Sequence, residues 1–395
     1  MLLSIGSIIL VSLALTSLFQ KIKIPGIIAM IFTGILLGPF VLNLIDPQIL
    51  NLSPDLRQIA LIIILIRAGL SVDIKDLKKV GRPAILLSFI PSTIEIIIVA
   101  LLSHLLFQLD LVESLILGSI VAAISPAAIV PRMIQLIQSK RGTKKAIPQM
   151  ILAASSLEDI YVITLFAVFI QIYQSNQSPI SVLVQLPLSI ISGALMGILV
   201  GYILVYLFKV IHMRDTIKVF GLFGVSFLMV YLETILKSVF PFSGLLSVMV
   251  LGGTILKLYP DLSSRLTLKF SKIWIGAEIM LFVLVGAIMD ITVLKNVGIY
   301  ALILLVVAMS LRIFSAYLIT INTELTIKER LFIGFSSLPK ATVQAAIGSI
   351  PLALGIPGGE IMLSVAVLAI LITTPIGTIL IDSLAEKVLE LDSIM

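Results

Sequence analysis

The chain has 395 residues, of which 59% are hydrophobic and 12% are charged, and its mean hydropathy is +1.21. A soluble domain typically carries about 25% charged residues, so this composition excludes an ordinary soluble domain and predicts a protein embedded in a lipid bilayer. The absence of cysteine excludes disulfides and thiol chemistry. The net charge of +6 does not indicate nucleic-acid binding, because the basic residues cluster in alternate loops, as membrane topology requires.

Apolar segments that fit a membrane recur along the whole chain. A membrane-spanning helix needs roughly 20 predominantly apolar residues. The pattern predicts an all-α polytopic protein with thirteen transmembrane helices, at 2–20, 24–42, 57–72, 83–107, 112–138, 149–173, 181–208, 216–236, 241–256, 270–289, 297–320, 328–355 and 361–382.

The loops between these segments alternate in charge. One set of loops holds 20 of the 27 basic residues, whereas the opposite set holds only Arg57, Lys237 and Lys295. This bias predicts a cytoplasmic C-terminus, an N-terminus outside and an odd number of spans. The first segment has no basic n-region, so we interpret it as a membrane helix and not as a cleaved signal. The short termini favour a bacterial inner (plasma) membrane.

A weak internal repeat links the two halves of the chain. Residues 69–81 align with residues 286–298 at an offset of 217, with seven of thirteen positions identical, among them Asp73 with Asp290. The offset spans seven predicted helices, so the halves have opposite orientations, which is typical of secondary transporters. The predicted plan is a six-helix repeat at 1–180, a linker helix at 181–212 and a second six-helix repeat at 213–395.

The same offset relates two opposite charges inside predicted membrane helices. Glu95 plus 217 residues is Arg312. A pseudo-twofold axis would bring both near the interface of the halves, and pairing lowers the cost of keeping two charges in lipid. We predict a Glu95–Arg312 ion pair that is either structural or part of ion coupling.

Two predicted helices are interrupted at corresponding places. The first contains Pro126 and Pro131, and its counterpart contains Pro339, Gly348 and Pro351. Proline removes a backbone donor and breaks a helix. Paired interrupted segments in the two halves are the best sequence indication of a transporter's binding site.

Two adjacent carboxylates, Glu158 and Asp159, lie near the middle of an apolar helix. Acids at that depth are costly unless a cation, a proton or water compensates them, so they predict a functional site. Lys340 lies at a similar depth in its own segment. It either pairs with Asp159 when no cation is bound, or it caps carbonyls of the broken helix.

Four stretches resemble the monovalent cation:proton antiporter superfamily, most closely its NHA-type sodium/proton exchanger branch. They are residues 65–70 (Leu-Ile-Arg-Ala-Gly-Leu), residues 124–127 (Ile-Ser-Pro-Ala), Glu158-Asp159, and residues 338–348 (Leu-Pro-Lys-Ala-Thr-Val-Gln-Ala-Ala-Ile-Gly). The resemblance covers essentially the whole chain. It implies a homodimer in which each protomer has a dimerisation domain and a core ion-transport domain with two crossing broken helices.

The resemblance also implies roles for individual residues. Asp159 falls at the family's essential ion-binding aspartate, and Glu158 at a position usually held by Asp or Asn, so the stoichiometry stays open. The expected cation- and proton-binding residues, and the ligands of Na⁺, are Asp159 and Glu158, with Ser125 and Ser155 beside them. Lys340, Glu95 and Arg312 are expected in coupling or structural ion pairs. The residues expected at the broken-helix crossing are Pro126, Ala127, Thr342 and Gln344.

The sequence therefore predicts a transporter and not an enzyme: a sodium(lithium)/proton antiporter that works by alternating access without a cofactor. Potassium/proton exchange by the same machinery remains open, because cavity size is not visible in a sequence. A sodium-coupled organic anion symporter is a further alternative, although acids at 158 and 159 disfavour an anionic substrate. An intramembrane aspartyl protease is disfavoured, because it needs acids on two facing helices, whereas Glu158 and Asp159 are neighbours on one helix. A plain ion channel is also disfavoured, because it does not need paired broken helices.

Overall fold

The structure, a computed structural model, describes residues 1–22, 24–71, 81–174, 179–236 and 242–391, with the backbone alone for residues 179–186. The described chain is helical, and its one β-bridge, between Arg141 and Leu391, is isolated. Part of the predicted repeat, including Asp73, lies outside the described residues. The same holds for the loop cations Lys23, Lys75, Lys78, Lys79 and Lys237.

Seventeen helices are described. In chain order they are α1 Leu2–Lys21, α2 Gly26–Leu37, α3 Pro47–Asn51, α4 Ser53–Ser71, α5 Arg82–Phe107, α6 Leu111–Ala122, α7 Pro126–Gln138, α8 Ile147–Gln174, α9 Pro179–Val210, α10 Asp215–Leu236, α11 Gly244–Leu258, α12 Pro260–Ala287, α13 Ile291–Ile319, α14 Ile327–Ser336, α15 Thr342–Ile347, α16 Ile350–Ala353 and α17 Gly359–Val388.

Each of the thirteen predicted apolar segments contains a helix or an interrupted series of helices. Within the described residues, nine helical stretches are long and apolar enough to cross a membrane, and the stretch at Leu111–Gln138 includes the break between α6 and α7. Three further apolar helices, at Gly26–Leu37, Gly244–Leu258 and Thr342–Ala353, are shorter. The all-helical membrane fold is confirmed, and the count of thirteen spans stays a prediction.

Helix α12 begins ten residues before the predicted start at 270, at Pro260. Its first turns carry Arg265 and Lys269, which lower the local hydrophobicity but are good helix formers. Leu262, Leu266 and Phe270 are spaced four residues apart and are fully buried. This stripe packs the polar start of the helix against its unit, whereas the prediction followed only the continuous apolar run.

The chain divides into two compact units, each drawn from both halves of the sequence. Unit 1 comprises Met1–Pro54, Lys75–Phe169 and Leu281–Met395, and unit 2 comprises Asp55–Ile74 and Ile170–Met280. Both broken helices, α6–α7 and α14–α15, belong to unit 1, as does α8 up to Phe169. The division therefore places the interrupted helices and the acid pair in the same body.

Glycines allow close backbone contacts inside each unit. In unit 1, a Cβ on Gly34 of α2 would lie 1.9 Å from the carbonyl oxygen of Val283 on α12. In unit 2, a Cβ on Gly69 of α4 would lie 2.1 Å from the carbonyl oxygen of Met249 on α11. Small residues at such crossings let membrane helices approach backbone to backbone. Neither position has room for a side chain.

Replacing Gly34 or Gly69 by alanine should therefore lower the thermal unfolding temperature of the purified protein in detergent. Overpacking costs about 1–3 kcal/mol, because a neighbouring backbone atom has to move. Gly221→Ala on α10 is the matched control, since nothing lies within 4 Å of its Cβ position. Equal unfolding temperatures for the three variants would show that Gly34 and Gly69 have room for a methyl group.

Candidate ion-binding site

The two interrupted helices of unit 1 touch at their breaks. The backbone leaves helical geometry at Ala123 and Ser125, and again at Ala341. The Ser125 amide donates to the Pro339 carbonyl over 2.8 Å, which joins one break directly to the other. The predicted crossing of the broken helices is therefore present in the structure.

Pro126 begins α7, where a missing backbone donor costs little, and the break precedes it. Pro131 differs from the prediction, because it lies inside α7 without ending the helix. Membrane helices tolerate an internal proline when neighbouring groups satisfy the freed carbonyl. Ala127 follows Pro126 in the first turn of α7.

The end of α6 leaves carbonyl oxygens without helical partners, and the second broken helix supplies donors for them. The Gln344 side-chain amide donates to the carbonyls of Ile120, Val121 and Ala123 at 3.0, 3.2 and 2.8 Å. The carbonyl of Ala122 accepts from the Lys340 ammonium at 2.8 Å and from the Arg312 guanidinium at 2.7 Å. Gln344 thus holds the crossing, as its predicted position implied.

Four fully buried charged side chains form a connected network beside the breaks. The guanidinium of Arg312 donates to Glu95 through Nη1 and to both oxygens of Glu158 through Nη2, the latter at 2.5 and 2.7 Å. Lys340 Nζ donates to Glu95 at 2.8 Å. The network joins α5, α8, α13 and the second break, and it contains the expected Glu95–Arg312 pair.

Asp159 is the carboxylate that the network leaves out. It is buried, with 9% of its surface exposed, and its Oδ1 has no hydrogen-bond partner. Two cations, Arg312 and Lys340, stand against three carboxylates, so the ionised cluster carries a net charge of −1. Uncompensated charge is costly in such a buried position, and Asp159 is the carboxylate of the cluster that no cation pairs with among the described residues.

Several neutral oxygens at the crossing are also unused. Ser125 Oγ, Thr342 Oγ1 and Gln344 Oε1 are buried without partners. Ser155, four residues before Asp159 and on the same face of α8, donates to the Leu152 carbonyl, so its oxygen can still accept or ligate. Hard monovalent and divalent cations are held by oxygen ligands of these kinds.

One sequence expectation is wrong in this structure and another takes a definite form. Lys340 does not pair with Asp159, because its ammonium is used by Glu95 and by the Ala122 carbonyl. The alternative, a lysine that caps broken-helix carbonyls, is the arrangement present. Both oxygens of Glu158 accept from Arg312, so Glu158 bridges to another charge.

Sequence reasoning missed two polar residues at the site, Thr373 and Thr374 of α17, whose hydroxyls bond the backbone of Lys340. A pair of threonines directly before a proline in an apolar helix was the available signal.

In unit 2, sequence reasoning also missed Glu278, which interacts electrostatically with Arg67. Glu278 lies in the middle of the predicted apolar segment 270–289, so a charge inside an apolar run was the available signal.

Crossed broken helices around a buried charge network define a secondary transporter of the antiporter fold. A family model described as "Sodium/hydrogen exchanger, transmembrane" matches residues 8–387. The chain belongs to the sodium/hydrogen exchanger family, a family of cation/proton exchangers. The resemblance seen in the sequence is thereby confirmed.

Relatives and solved structures agree with this assignment. The chain is 34% identical to sodium/hydrogen exchanger 9B2 of Mus musculus, over 98% of this chain and 74% of the relative. It is 31% identical to sodium/hydrogen exchanger 9B1 of Homo sapiens, over 85% of this chain and 67% of the relative. The structure of the sodium proton antiporter MjNhaP1 from Methanocaldococcus jannaschii matches with a TM-score of 0.84 and 20% identity, over 97% of each chain. This match shows the same fold.

Removing one member of the buried network should destabilise the protein strongly. Glu158→Ala leaves the Nη2 group of Arg312 without its partner, and breaking a buried pair from one side costs about 3–5 kcal/mol. Thermal unfolding in detergent without added sodium measures the effect. Glu324→Ala, at an exposed residue, should change stability by no more than about 0.5 kcal/mol. Equal unfolding temperatures for the two variants would contradict the structural role of Glu158.

Proposed function

We propose that this protein is a secondary-active antiporter that exchanges Na⁺, and also Li⁺, for H⁺ by alternating access. The observation that carries the proposal is the unpaired buried carboxylate of Asp159 beside the crossing of the broken helices. The family assignment and the sodium/proton exchangers among the relatives support the choice of ions.

The proposed coupling follows from competition for one carboxylate. Ionised Asp159 leaves the cluster with one excess negative charge, which either a cation or a proton can neutralise. A charge left uncompensated in hydrocarbon is expensive, so the empty, ionised site is the least favourable state for moving across the membrane. Na⁺ entering from one side therefore displaces the proton, and a proton entering from the other side displaces Na⁺.

In this proposal the cation is held by Asp159 together with neutral oxygens. Ser125, Ser155 and Thr342 provide hydroxyls, and Gln344 provides an unused amide oxygen. Glu158 assists indirectly, because its bond to Arg312 occupies the cation that would otherwise compensate Asp159. Lys340, at the second break, acts in the same way, because its ammonium is bound to Glu95 and so does not pair with Asp159.

The charge count also points to a stoichiometry. Glu158 is neutralised by Arg312 and Glu95 is shared by Arg312 and Lys340, which leaves one carboxylate for exchange. We propose that one cation moves for each proton, so that transport is electroneutral. A second exchangeable proton would require breaking the Glu158–Arg312 pair in every cycle.

Potassium/proton exchange is the second candidate, because the same cluster would bind a larger monovalent cation if the cavity allowed it. A sodium-coupled organic anion symporter fits less well, since the cluster already carries excess negative charge.

We further propose a homodimer in the plasma membrane of a bacterium, with the N-terminus outside and the C-terminus in the cytoplasm. The repeats at 1–180 and 213–395, the linker helix at 181–212, and the division into dimerisation and core domains belong to the same proposal.

The decisive measurement is proton flux in proteoliposomes that contain an internal pH dye and receive pulses of Na⁺, Li⁺, K⁺ or choline. The wild-type protein should respond to Na⁺ and Li⁺ and not to choline. Asp159→Asn removes the exchangeable charge and should abolish the response, whereas Asp261→Asn, at an exposed residue of α12, should retain it. A response to K⁺ would change the proposed substrate, and full activity in Asp159→Asn would refute the proposed site.

Electroneutral exchange is tested in the same vesicles by clamping the membrane potential with K⁺ and valinomycin. The initial rate of sodium-driven proton flux should be the same at zero and at strongly negative potential, because no net charge crosses. If Glu158 carries a second proton, the rate should change with potential, and that result would contradict the one-for-one proposal.

A further inference from the structure

The non-helical backbone at Lys340 is held by the last helix of the chain. The Lys340 amide donates to Thr373 Oγ1 at 3.0 Å, and Thr374 Oγ1 donates to the Lys340 carbonyl at 2.5 Å. Both backbone groups of this one residue are therefore satisfied by adjacent side chains on α17.

The surroundings make these two hydrogen bonds hard to replace. Lys340, Thr373 and Thr374 are all buried, with at most 1% of their surface exposed. One turn further along α17, a Cβ on Gly377 would lie 2.7 Å from the ring of Pro339, so α17 presses directly against the break. Water is excluded from such a contact, and a backbone group that loses its partner there finds no other.

The position of Lys340 decides which carboxylate remains uncompensated. Its ammonium lies between Glu95 and the Ala122 carbonyl, and the backbone that aims it is fixed by α17. A lysine released from this position would be the one cation of the network able to move towards Asp159, because Arg312 is held by two carboxylates. A lysine near Asp159 competes with any cation that binds there.

We propose that Thr373 and Thr374 are positioning residues for cation exchange: they fix the backbone of Lys340 so that its ammonium stays on Glu95 and leaves Asp159 free for the transported ion. This inference rests on the proposed function. The threonines do not touch the ion, and they act through Lys340.

The test compares the sodium dependence of proton flux in variants of α17 in proteoliposomes. Thr373→Val and Thr374→Val keep the side-chain shape and remove the hydroxyl. Each should raise the KM for Na⁺ about tenfold, in line with the loss of one buried hydrogen bond, with a smaller effect on the maximal rate. Thr373→Ser and Thr374→Ser keep the hydroxyl and should restore the KM to within about twofold of wild type.

Thr378→Val is the matched control, since Thr378 is a buried threonine on the same helix whose hydroxyl bonds only the Pro375 carbonyl of α17. Its KM should equal that of wild type. Thr373→Ala and Thr374→Ala form a second set of hydroxyl deletions, in which the γ-methyl group is removed as well. If all four hydroxyl deletions fail to fold while Thr378→Val folds, the pair serves folding alone and the inference is overturned.

The outcomes separate this inference from the proposed function. Valine variants with the same KM as Thr378→Val, in a protein whose wild type exchanges sodium for protons, would overturn the inference alone. A wild-type protein that moves no protons in response to any cation would overturn both.

Discussion

Three carboxylates and two cations share a part of unit 1 that water barely reaches, and the guanidinium of Arg312 organises them. It bonds Glu95, Glu158 and the freed carbonyl of Ala122, and so compensates acids on two helices and the broken end of a third. A planar group with several fixed donors suits this task better than an ammonium. Buried ion pairs add little net stability, because desolvation offsets their attraction. The network distributes its hydrogen bonds unequally among the three carboxylates: both cations donate to Glu95, Arg312 also donates to Glu158, and Asp159 Oδ1 has no hydrogen-bond partner.

The broken helices depend on the same groups. Ending α6 at Ala122 and α14 at Ser336 exposes backbone carbonyls and amides inside unit 1, and none of them can be left to lipid. Gln344 bonds three of the carbonyls, while Lys340 and Arg312 bond a fourth. Two of these three donors come from the break opposite α6. The first interruption is therefore tolerated largely because the second supplies its donors, whereas the second is satisfied by the Ser125 amide and by the threonines of α17. Lys340 and Arg312 help to close the first break, and they are also the cations that bind Glu95 and Glu158 instead of Asp159.

The sequence was sufficient for the fold and for naming the charged residues of the buried cluster, because burying charge in an apolar helix leaves a visible trace. Glu95, Arg312, Glu158, Asp159 and Lys340 each interrupt an apolar run, and the prolines marked both breaks. The Glu95–Arg312 pair followed from the offset of the repeat, but the partners of Lys340 and Glu158 were not predictable in the same way. The sequence places several acids at about the depth of Lys340 and does not indicate which of them it binds. The path of the broken backbone directs its ammonium to Glu95. Thr373 and Thr374 were missed because hydroxyls are common in membrane helices and normally bond their own backbone.

The offset of 217 residues explains why some equivalent positions match and others differ. Ser125 and Thr342 are related by it, and both are hydroxyl residues at the start of a second half-helix with no partner. Glu95 and Arg312 are related by it too, yet they are opposite charges in contact. Because these two positions are in contact, identical charges there would repel, whereas opposite charges pair. The same reasoning applies to α8 and α17, the last helices of the two predicted repeats. Two sets of acids would double the charge excess, so one helix carries Glu158 and Asp159 while the other carries the threonines that hold Lys340.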